Sequence, residues 1–138
     1  MLRLSKLTDY GIVVMAHLAR QPERPHTAAE IAAALPLGAP TVSKLLKLLA
    51  RGGVLISQRG AKGGYALARR AEEISVAQVI SALEGPIALT ECVLPGVCRQ
   101  AENCGVRDSW VKLSGTVYHA LDGVSLAEMA RREEEAVA

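Results

Sequence analysis

The sequence predicts a mainly α-helical fold with one small β-hairpin, arranged as a winged helix-turn-helix followed by a long C-terminal dimerisation helix. Two short segments with apolar residues at helical spacing, joined by a tight turn that contains Gly38, predict the helix-turn-helix. A glycine-rich basic segment between two short apolar stretches predicts the hairpin, or wing, directly after it. An apolar stripe over residues 106–121 predicts the long helix.

Capping signals place three helices in the first part of the chain. Ser5 can cap the first helix, which should end near Arg20 because two prolines follow it closely. The residues from Thr27 to Glu30 form a capping-box pattern that starts the second helix. The third helix should begin at residue 40 or 41 and run to Arg51.

The third helix has one apolar and one polar face. Its predicted buried residues recur at helical spacing: Val42, Leu45, Leu46 and Leu49. Residues near the N-terminus of such a helix usually reach base edges, so we expect Thr41, Ser43 and Lys44 to enter the major groove. Lys47 and Arg51 should meet phosphates. Alternatively, the lysines are only solvated, as on many amphipathic helices.

The wing is predicted from the sequence between two short apolar stretches, residues 54–56 and 65–67. The intervening residues 59–64 contain Arg59, Lys62 and three glycines, which can adopt the positive φ angles of a hairpin tip. We expect Arg59 and Lys62 to follow a phosphate backbone or to enter the adjacent minor groove. A nucleotide-cradling loop is disfavoured because no helix begins directly after the glycines.

The formal net charge of +2 conceals an uneven distribution. Residues 1–70 contain 11 Lys and Arg against 3 Asp and Glu, which gives +8, whereas residues 71–138 contain 5 against 11, which gives −6. A basic first half favours a polyanionic partner, and double-stranded DNA is the leading candidate. The alternative is a basic face that only keeps the protein in solution.

No stretch resembles a secretory signal or a membrane span, so we expect a cytoplasmic protein with no membrane partner.

The second half of the chain predicts three more helices. Ser75 and Ser125 each begin a capping-box pattern. The helix between them has a continuous apolar stripe: Val106, Trp110, Leu113, Val117 and Leu121. Because the winged module should have its own core, we expect this helix to pack on its twin in a homodimer. The alternative is that it folds back on its own domain.

All three cysteines, Cys92, Cys98 and Cys104, lie in one short stretch with five residues between successive thiols. Pro95 and Gly96 interrupt periodicity there, so we predict a loop that can fold around a metal centre. Structural zinc prefers closer Cys pairs. The Cys-x-x-Cys motif and His-paired nucleophile of a thiol enzyme are absent, so we do not expect an enzyme.

We expect DNA binding by residues 1–84, a cysteine loop at 85–105 and dimerisation by 106–138.

The chain resembles the family of bacterial iron–sulfur winged-helix regulators that includes IscR, NsrR and the SUF-system regulators. The resemblance runs from the opening Leu-Ser-Lys-Leu-Thr-Asp-Tyr-Gly at residues 4–11, through the wing at 60–65, to the three cysteines. It implies a homodimeric transcription factor that carries an iron–sulfur cluster on those cysteines. A 4Fe-4S cluster is favoured, with a 2Fe-2S cluster as the alternative. DNA affinity would change with the state of the cluster, at a pseudo-palindromic operator.

The resemblance leaves the fourth cluster ligand to be chosen. In the IscR branch a histidine stands three residues after the last cysteine; here that residue is Arg107, whose guanidinium has no lone pair for a metal. The NsrR branch uses an early aspartate of the partner subunit, and Asp9 matches it in position. Asp9 is the only acid among the first 22 residues. Alternatively, it only complements the helix dipole. His17 and His119 are weaker candidates, and His26 has no assigned role.

The opening residues look most like those of the SUF-type regulators, so the resemblance implies control of iron–sulfur cluster-assembly genes. A nitric-oxide or redox-responsive repressor of the same family is an alternative. A zinc-stabilised or metal-free, thiol-sensing winged-helix protein is an alternative of another class.

Overall fold

The computed structural model describes residues 3–94, except for the side chain of Cys92, and residues 105–131. This part of the chain forms six α-helices and one hairpin, which confirms the predicted fold class. In chain order the elements are α1 (Lys6–Arg20), α2 (Ala28–Ala34), α3 (Ala39–Arg51), β1 (Leu55–Gln58), β2 (Gly64–Leu67), α4 (Val76–Glu84), α5 (Arg107–Asp122) and α6 (Leu126–Ala130). Single 3-10 turns lie at Ala71–Glu73 and Glu91–Val93. No helix of the described residues is both long and apolar enough to span a bilayer.

Local capping determines where most helices begin. The Ser5 side chain accepts a hydrogen bond from the backbone N–H of Thr8 at 3.2 Å, as expected for α1. Complete capping boxes start α4 at Ser75 and α6 at Ser125. These short-range bonds satisfy N–H groups that the first helical turn leaves without partners. The helix starts predicted from them are therefore confirmed.

The capping box predicted at Thr27 is different in the structure. Thr27 Oγ1 accepts from the backbone N–H of Glu30 at 3.1 Å, which is the expected first half of the box. The Glu30 carboxylate instead receives a hydrogen bond of 2.7 Å from the Arg24 guanidinium. A charged donor forms a stronger hydrogen bond than a neutral backbone N–H, so Arg24 redirects this side chain.

The hairpin is antiparallel, with Leu55 opposite Leu67 and Gln58 opposite Gly64. Both strands therefore extend closer to the wing tip than the apolar stretches indicated. The backbone bonds of Gln58 and Gly64 are not visible in an apolar pattern, which explains the difference.

A single hydrophobic core joins the helices of the winged module to the C-terminal helix. Each of five helices contributes at least one fully buried side chain to it: Met15, Ile31, Leu46, Val79 and Leu126. Leu126 belongs to α6, which packs against α1. The short C-terminal helix is therefore part of the same core as residues 6–84.

The long helix α5 behaves differently along its length. Leu121 packs against the core, and Val117 is partly buried. Towards its N-terminal half, Val106, Trp110 and Leu113 remain exposed. The C-terminal part of α5 thus folds back on its own domain, while the rest presents an apolar face.

Candidate nucleic-acid interface

Helix α3 separates its buried and exposed residues as its sequence predicts. Val42, Leu45, Leu46 and Leu49 are fully buried. Lys44, Lys47 and Arg51 are exposed, whereas Thr41 and Ser43 are partly buried. Steps of three and four residues put Thr41 and the three cations along one side of the helix. This side can follow a groove and its phosphates.

Arg59 and Lys62 are both exposed at the tip of the wing. The tip is shaped by a turn in which the Gly63 N–H donates to the Gly60 carbonyl at 2.9 Å, with Gly60 at a φ of 109°. A Cβ at Gly63 would lie 2.3 Å from the Gln58 carbonyl oxygen. The glycines therefore allow a compact tip from which two cationic side chains project.

The exposed cations of α3 and the wing have no ion-pair partner among residues 3–94 and 105–131. The set is Lys44, Lys47, Arg51, Arg59 and Lys62. By contrast, Arg24 pairs with Glu30 at 2.7 Å and Arg70 with Glu72 at 3.5 Å. Unpaired cations on one helix and one loop tip can neutralise phosphates without first breaking internal salt bridges.

Sequence reasoning missed the histidine at the base of the wing. His26 is only 3% exposed, and its backbone forms an antiparallel bridge with Tyr65 of β2. The ring of His17 lies 5.9 Å from that of His26, measured between centroids, in an edge-on arrangement. Burial lowers the pKa of His17, and the nearby His26 and Arg20 lower it further. The sequence feature that could have indicated a role for His26 is its position directly before Thr27, the N-cap of α2.

The residues predicted to bind a metal are only partly described. Cys98 and Cys104 lie outside the described residues, as does the side chain of Cys92. Asp9 is exposed in the first turn of α1. The part of the chain that the structure describes contains no group of three or more His, Cys, Asp or Glu that could hold a metal ion. The predicted ligand set therefore remains a prediction.

The backbone on both sides of the cysteine loop lies at α5. The turn Glu91–Val93, which includes Cys92, contacts this helix. Just before the turn, the Leu89 N–H donates to Ser114 Oγ at 3.0 Å, and Ser114 is 3% exposed. On the other side, Gly105 is two residues before the first residue of α5. The described backbone on each side of the cysteine segment therefore adjoins α5.

A helix-turn-helix with an exposed cationic side, followed by a wing with a cationic tip, defines a winged-helix transcriptional regulator that binds DNA. The chain belongs to the Rrf2 family, whose model, described as an iron-dependent transcriptional regulator, matches residues 4–132.

Three similar proteins illustrate the relationship. The HTH-type transcriptional regulator IscR of Cronobacter sakazakii is 28% identical over 134 residues, which cover 96% of this chain and 83% of IscR. The solved structure of T. potens IscR has a TM-score of 0.73 and 30% identity, covering 99% of this chain and 92% of that one. The oxidized form of Staphylococcus aureus CymR has a TM-score of 0.67 and 28% identity, covering 95% and 98%. These matches confirm the prediction of a bacterial winged-helix transcriptional regulator related to IscR.

Proposed function

We propose that this chain is a homodimeric regulator of iron–sulfur cluster-assembly genes whose affinity for its operator is controlled by an iron–sulfur cluster. The observation that carries the proposal is that the described backbone on both sides of the cysteine segment adjoins α5, the helix with the exposed apolar face. Binding at the loop can therefore act directly on subunit packing. The iron-dependent description of the family and the similarity to IscR support a cluster as the ligand.

We assign the DNA contacts to the polar side of α3 and to the tip of the wing. Thr41, Ser43 and Lys44 lie near the N-terminus of α3, which favours contact with base edges in the major groove. A second set carries charge for phosphates: Lys47, Arg51, Arg59 and Lys62. The unpaired state of these cations among the described residues supports the assignment.

The dimer would form through the exposed apolar side chains of α5. Val106, Trp110, Val111, Leu113 and Tyr118 are between 37% and 56% exposed. Large apolar side chains concentrated on one helix favour burial against another protein surface, and a second copy offers the same helix. Two-fold symmetry also suits a pseudo-palindromic operator, whose half-sites require recognition helices about 34–36 Å apart.

Cys92, Cys98 and Cys104 would hold the cluster, with Asp9 of the partner subunit as the fourth ligand. The exposure of Asp9 leaves its carboxylate accessible to another chain. A bound cluster would supply an iron- and oxidant-sensitive link between subunits, and a carboxylate ligand is harder and more labile than a thiolate.

Asp9 lies on α1, and α1 packs against α3. A link at Asp9 can therefore bias the orientation of the recognition helix. A coupling free energy of about 1–3 kcal/mol would change operator affinity roughly 5- to 150-fold.

The test is to purify the protein without oxygen, measure its visible absorbance and native mass, and then measure operator binding with and without iron at one stated salt concentration. The operator can be recovered from a random DNA pool with the same preparation. We expect a coloured dimer that contains iron, and a change in affinity when the iron is removed. A dimer that cannot hold iron, or whose DNA affinity does not depend on it, would contradict the proposal.

The variant Asp9→Ala tests the fourth ligand, and Glu23→Ala is its matched control because Glu23 is also an exposed acid of the basic half. We expect Asp9→Ala to alter the visible spectrum and shorten the lifetime of the cluster, while Glu23→Ala leaves both unchanged. An unchanged spectrum in Asp9→Ala would remove Asp9 from the site.

A metal-free, thiol-sensing regulator is the second candidate, because the chain is also similar to a CymR crystallised in an oxidized form. Cluster-free protein should then lose or gain operator affinity on oxidation and recover when reduced. A colourless protein with stoichiometric zinc would favour a zinc-stabilised regulator instead. A selective response of the iron-containing protein to nitric oxide would favour the nitric-oxide-responsive alternative.

A further inference from the structure

Three elements of the DNA-binding module meet at His26. Its backbone N–H donates to the Tyr65 carbonyl at 2.9 Å, and its carbonyl accepts from the Tyr65 N–H at 2.7 Å. Its ring bonds to the backbone carbonyl of Gln21, the C-cap residue that directly follows α1. The next residue, Thr27, caps α2. His26 therefore connects the end of α1, the start of α2 and the second strand of the wing.

The approach of the wing to His26 is too close for any residue but glycine. A Cβ at Gly64 would lie 2.5 Å from the His26 carbonyl oxygen and 2.6 Å from its carbonyl carbon. Gly64 also has a φ of 142°, which side-chain-bearing residues rarely adopt. The wing strand is thus held directly on the His26 backbone, with no side chain between them.

The ring of His26 holds this backbone in place from the other side. Its Nε2 lies 2.9 Å from the Gln21 carbonyl oxygen, and because a carbonyl only accepts, Nε2 carries the hydrogen and donates it. Its Nδ1 faces Glu30 Oε2 at 3.7 Å, and Arg24 holds that carboxylate. Because His26 is only 3% exposed, water cannot readily replace its hydrogen bond to Gln21.

We propose that His26 is a positioning residue for DNA binding. The bond from its ring to Gln21 fixes the His26 backbone, to which the wing strand is bonded, and this fixes the position of the wing tip relative to α3. The proposal rests on the proposed contact of Lys62 and Lys44 with DNA. The path is short, because His26 bonds the wing and its neighbour Thr27 starts α2, which packs on α3. Removing the ring should free the wing without disturbing α3.

Amide hydrogen exchange tests the anchoring without DNA. In His26→Ala we expect the Tyr65 amide to exchange about tenfold faster relative to the amides of α4, because local opening at the wing becomes easier. Ser114→Ala is the matched control, because it removes another buried polar side chain that bonds to backbone, remote in sequence from the wing. It should leave the ratio of Tyr65 to α4 exchange unchanged. An unchanged ratio in His26→Ala would overturn the proposal.

Operator binding tests the positioning role. In the native background, Lys62→Ala should weaken operator binding about fivefold. The reason is that the variant releases about one counterion fewer when it binds DNA near physiological salt. In the His26→Ala background the same change should cost less than about twofold, because a free wing no longer places Lys62 on a phosphate. Lys44→Ala should cost the same in both backgrounds. An equal Lys62→Ala effect in both would overturn the proposal.

Two further variants complete the experiment. His26→Gln keeps an N–H donor that can reach the Gln21 carbonyl, and it should restore most of the Tyr65 protection and of the Lys62→Ala effect. Should His26→Ala not fold, Gly64→Ala disturbs the same joint from the wing side and is measured in the same two ways. If Lys62→Ala has no effect in the native background, the proposed wing contact with DNA is wrong, and hydrogen exchange alone decides whether His26 holds the wing.

Discussion

Ser75 Oγ donates a hydrogen bond of 2.7 Å to Asp122 Oδ1, 47 residues further along the chain. Ser75 caps α4, and Asp122 is the last residue of α5. Two backbone bonds flank this contact: the Val76 N–H donates to the Val124 carbonyl at 2.9 Å, and the Leu126 N–H to that of Ile74 at 2.7 Å. The C-terminal end of α5 is thus tied to the DNA-binding module. These bonds connect the end of α5 directly to the start of α4.

The Ser75–Asp122 bond should be measurable as a coupling. Asp122→Ala should lower the free energy of unfolding by about 1 kcal/mol, and Ser75→Ala by about 1–2 kcal/mol because it also removes a helix cap. In a double-mutant cycle by urea unfolding, we expect an interaction of about 1 kcal/mol between the two changes. Ser125→Ala with Asp122→Ala is the control pair and should be additive. Additivity for the Ser75 pair would show that the bond does not contribute.

Trp110→Glu should dissociate the dimer. Trp110 is 37% exposed, and burying a charge there would cost more than the roughly 2–3 kcal/mol contributed by burying a large apolar side chain. The dimer dissociation constant should therefore rise at least about 30-fold. Sedimentation velocity over a range of concentrations measures the change. Met129→Glu is the control, because Met129 is exposed at 43% on α6 rather than α5; an equal effect of both changes would place the interface elsewhere.

Stability should fall as the pH decreases below about 6.5, through His17. Burial, His26 and Arg20 lower the pKa of His17 in the folded protein. The unfolded chain then binds the proton more tightly, so stability is unaffected above the unfolded pKa and declines as the pH falls through the window below it. His17→Gln should flatten the change in urea midpoint between pH 7.5 and 5.5, and an unchanged pH dependence in this variant would contradict the prediction. Glu30, whose pKa is lowered mainly by the Arg24 hydrogen bond, titrates below this window.

Lys47 and Lys44 should affect DNA binding in different ways. Lys47→Ala should weaken binding to all sequences and reduce the slope of log affinity against log salt by about 1. Lys44→Ala should reduce discrimination between the operator and its base-substituted variants by about 1–3 kcal/mol. Fluorescence anisotropy at several salt concentrations measures both. If the two variants lose affinity and specificity alike, the division between phosphate and base contacts is wrong.

The helices were predictable because their signals are local. Ser5, Ser75 and Ser125 lie within three residues of the N–H groups that they cap, and the buried face of α3 follows from helical spacing. The box at Thr27 was only half predicted, because Arg24 competes for the carboxylate of Glu30. No pattern within one helix could indicate that competition. Both strands of the hairpin extend beyond their apolar residues because backbone hydrogen bonds, which an apolar pattern does not reveal, continue the pairing.

By itself, the sequence determined the winged helix-turn-helix, the cationic side of α3 and the wing tip, because caps, turns and amphipathic periods act over a few residues. The resemblance to a known family implied that the three clustered cysteines and Asp9 are cluster ligands, and these assignments remain proposals. The tertiary structure alone decided that α6 completes the core of the module, that α5 is half packed and half exposed, and that His26 joins the wing to α1 and α2. Most of these features depend on contacts between residues tens of positions apart, whose partners are selected only when the whole core packs.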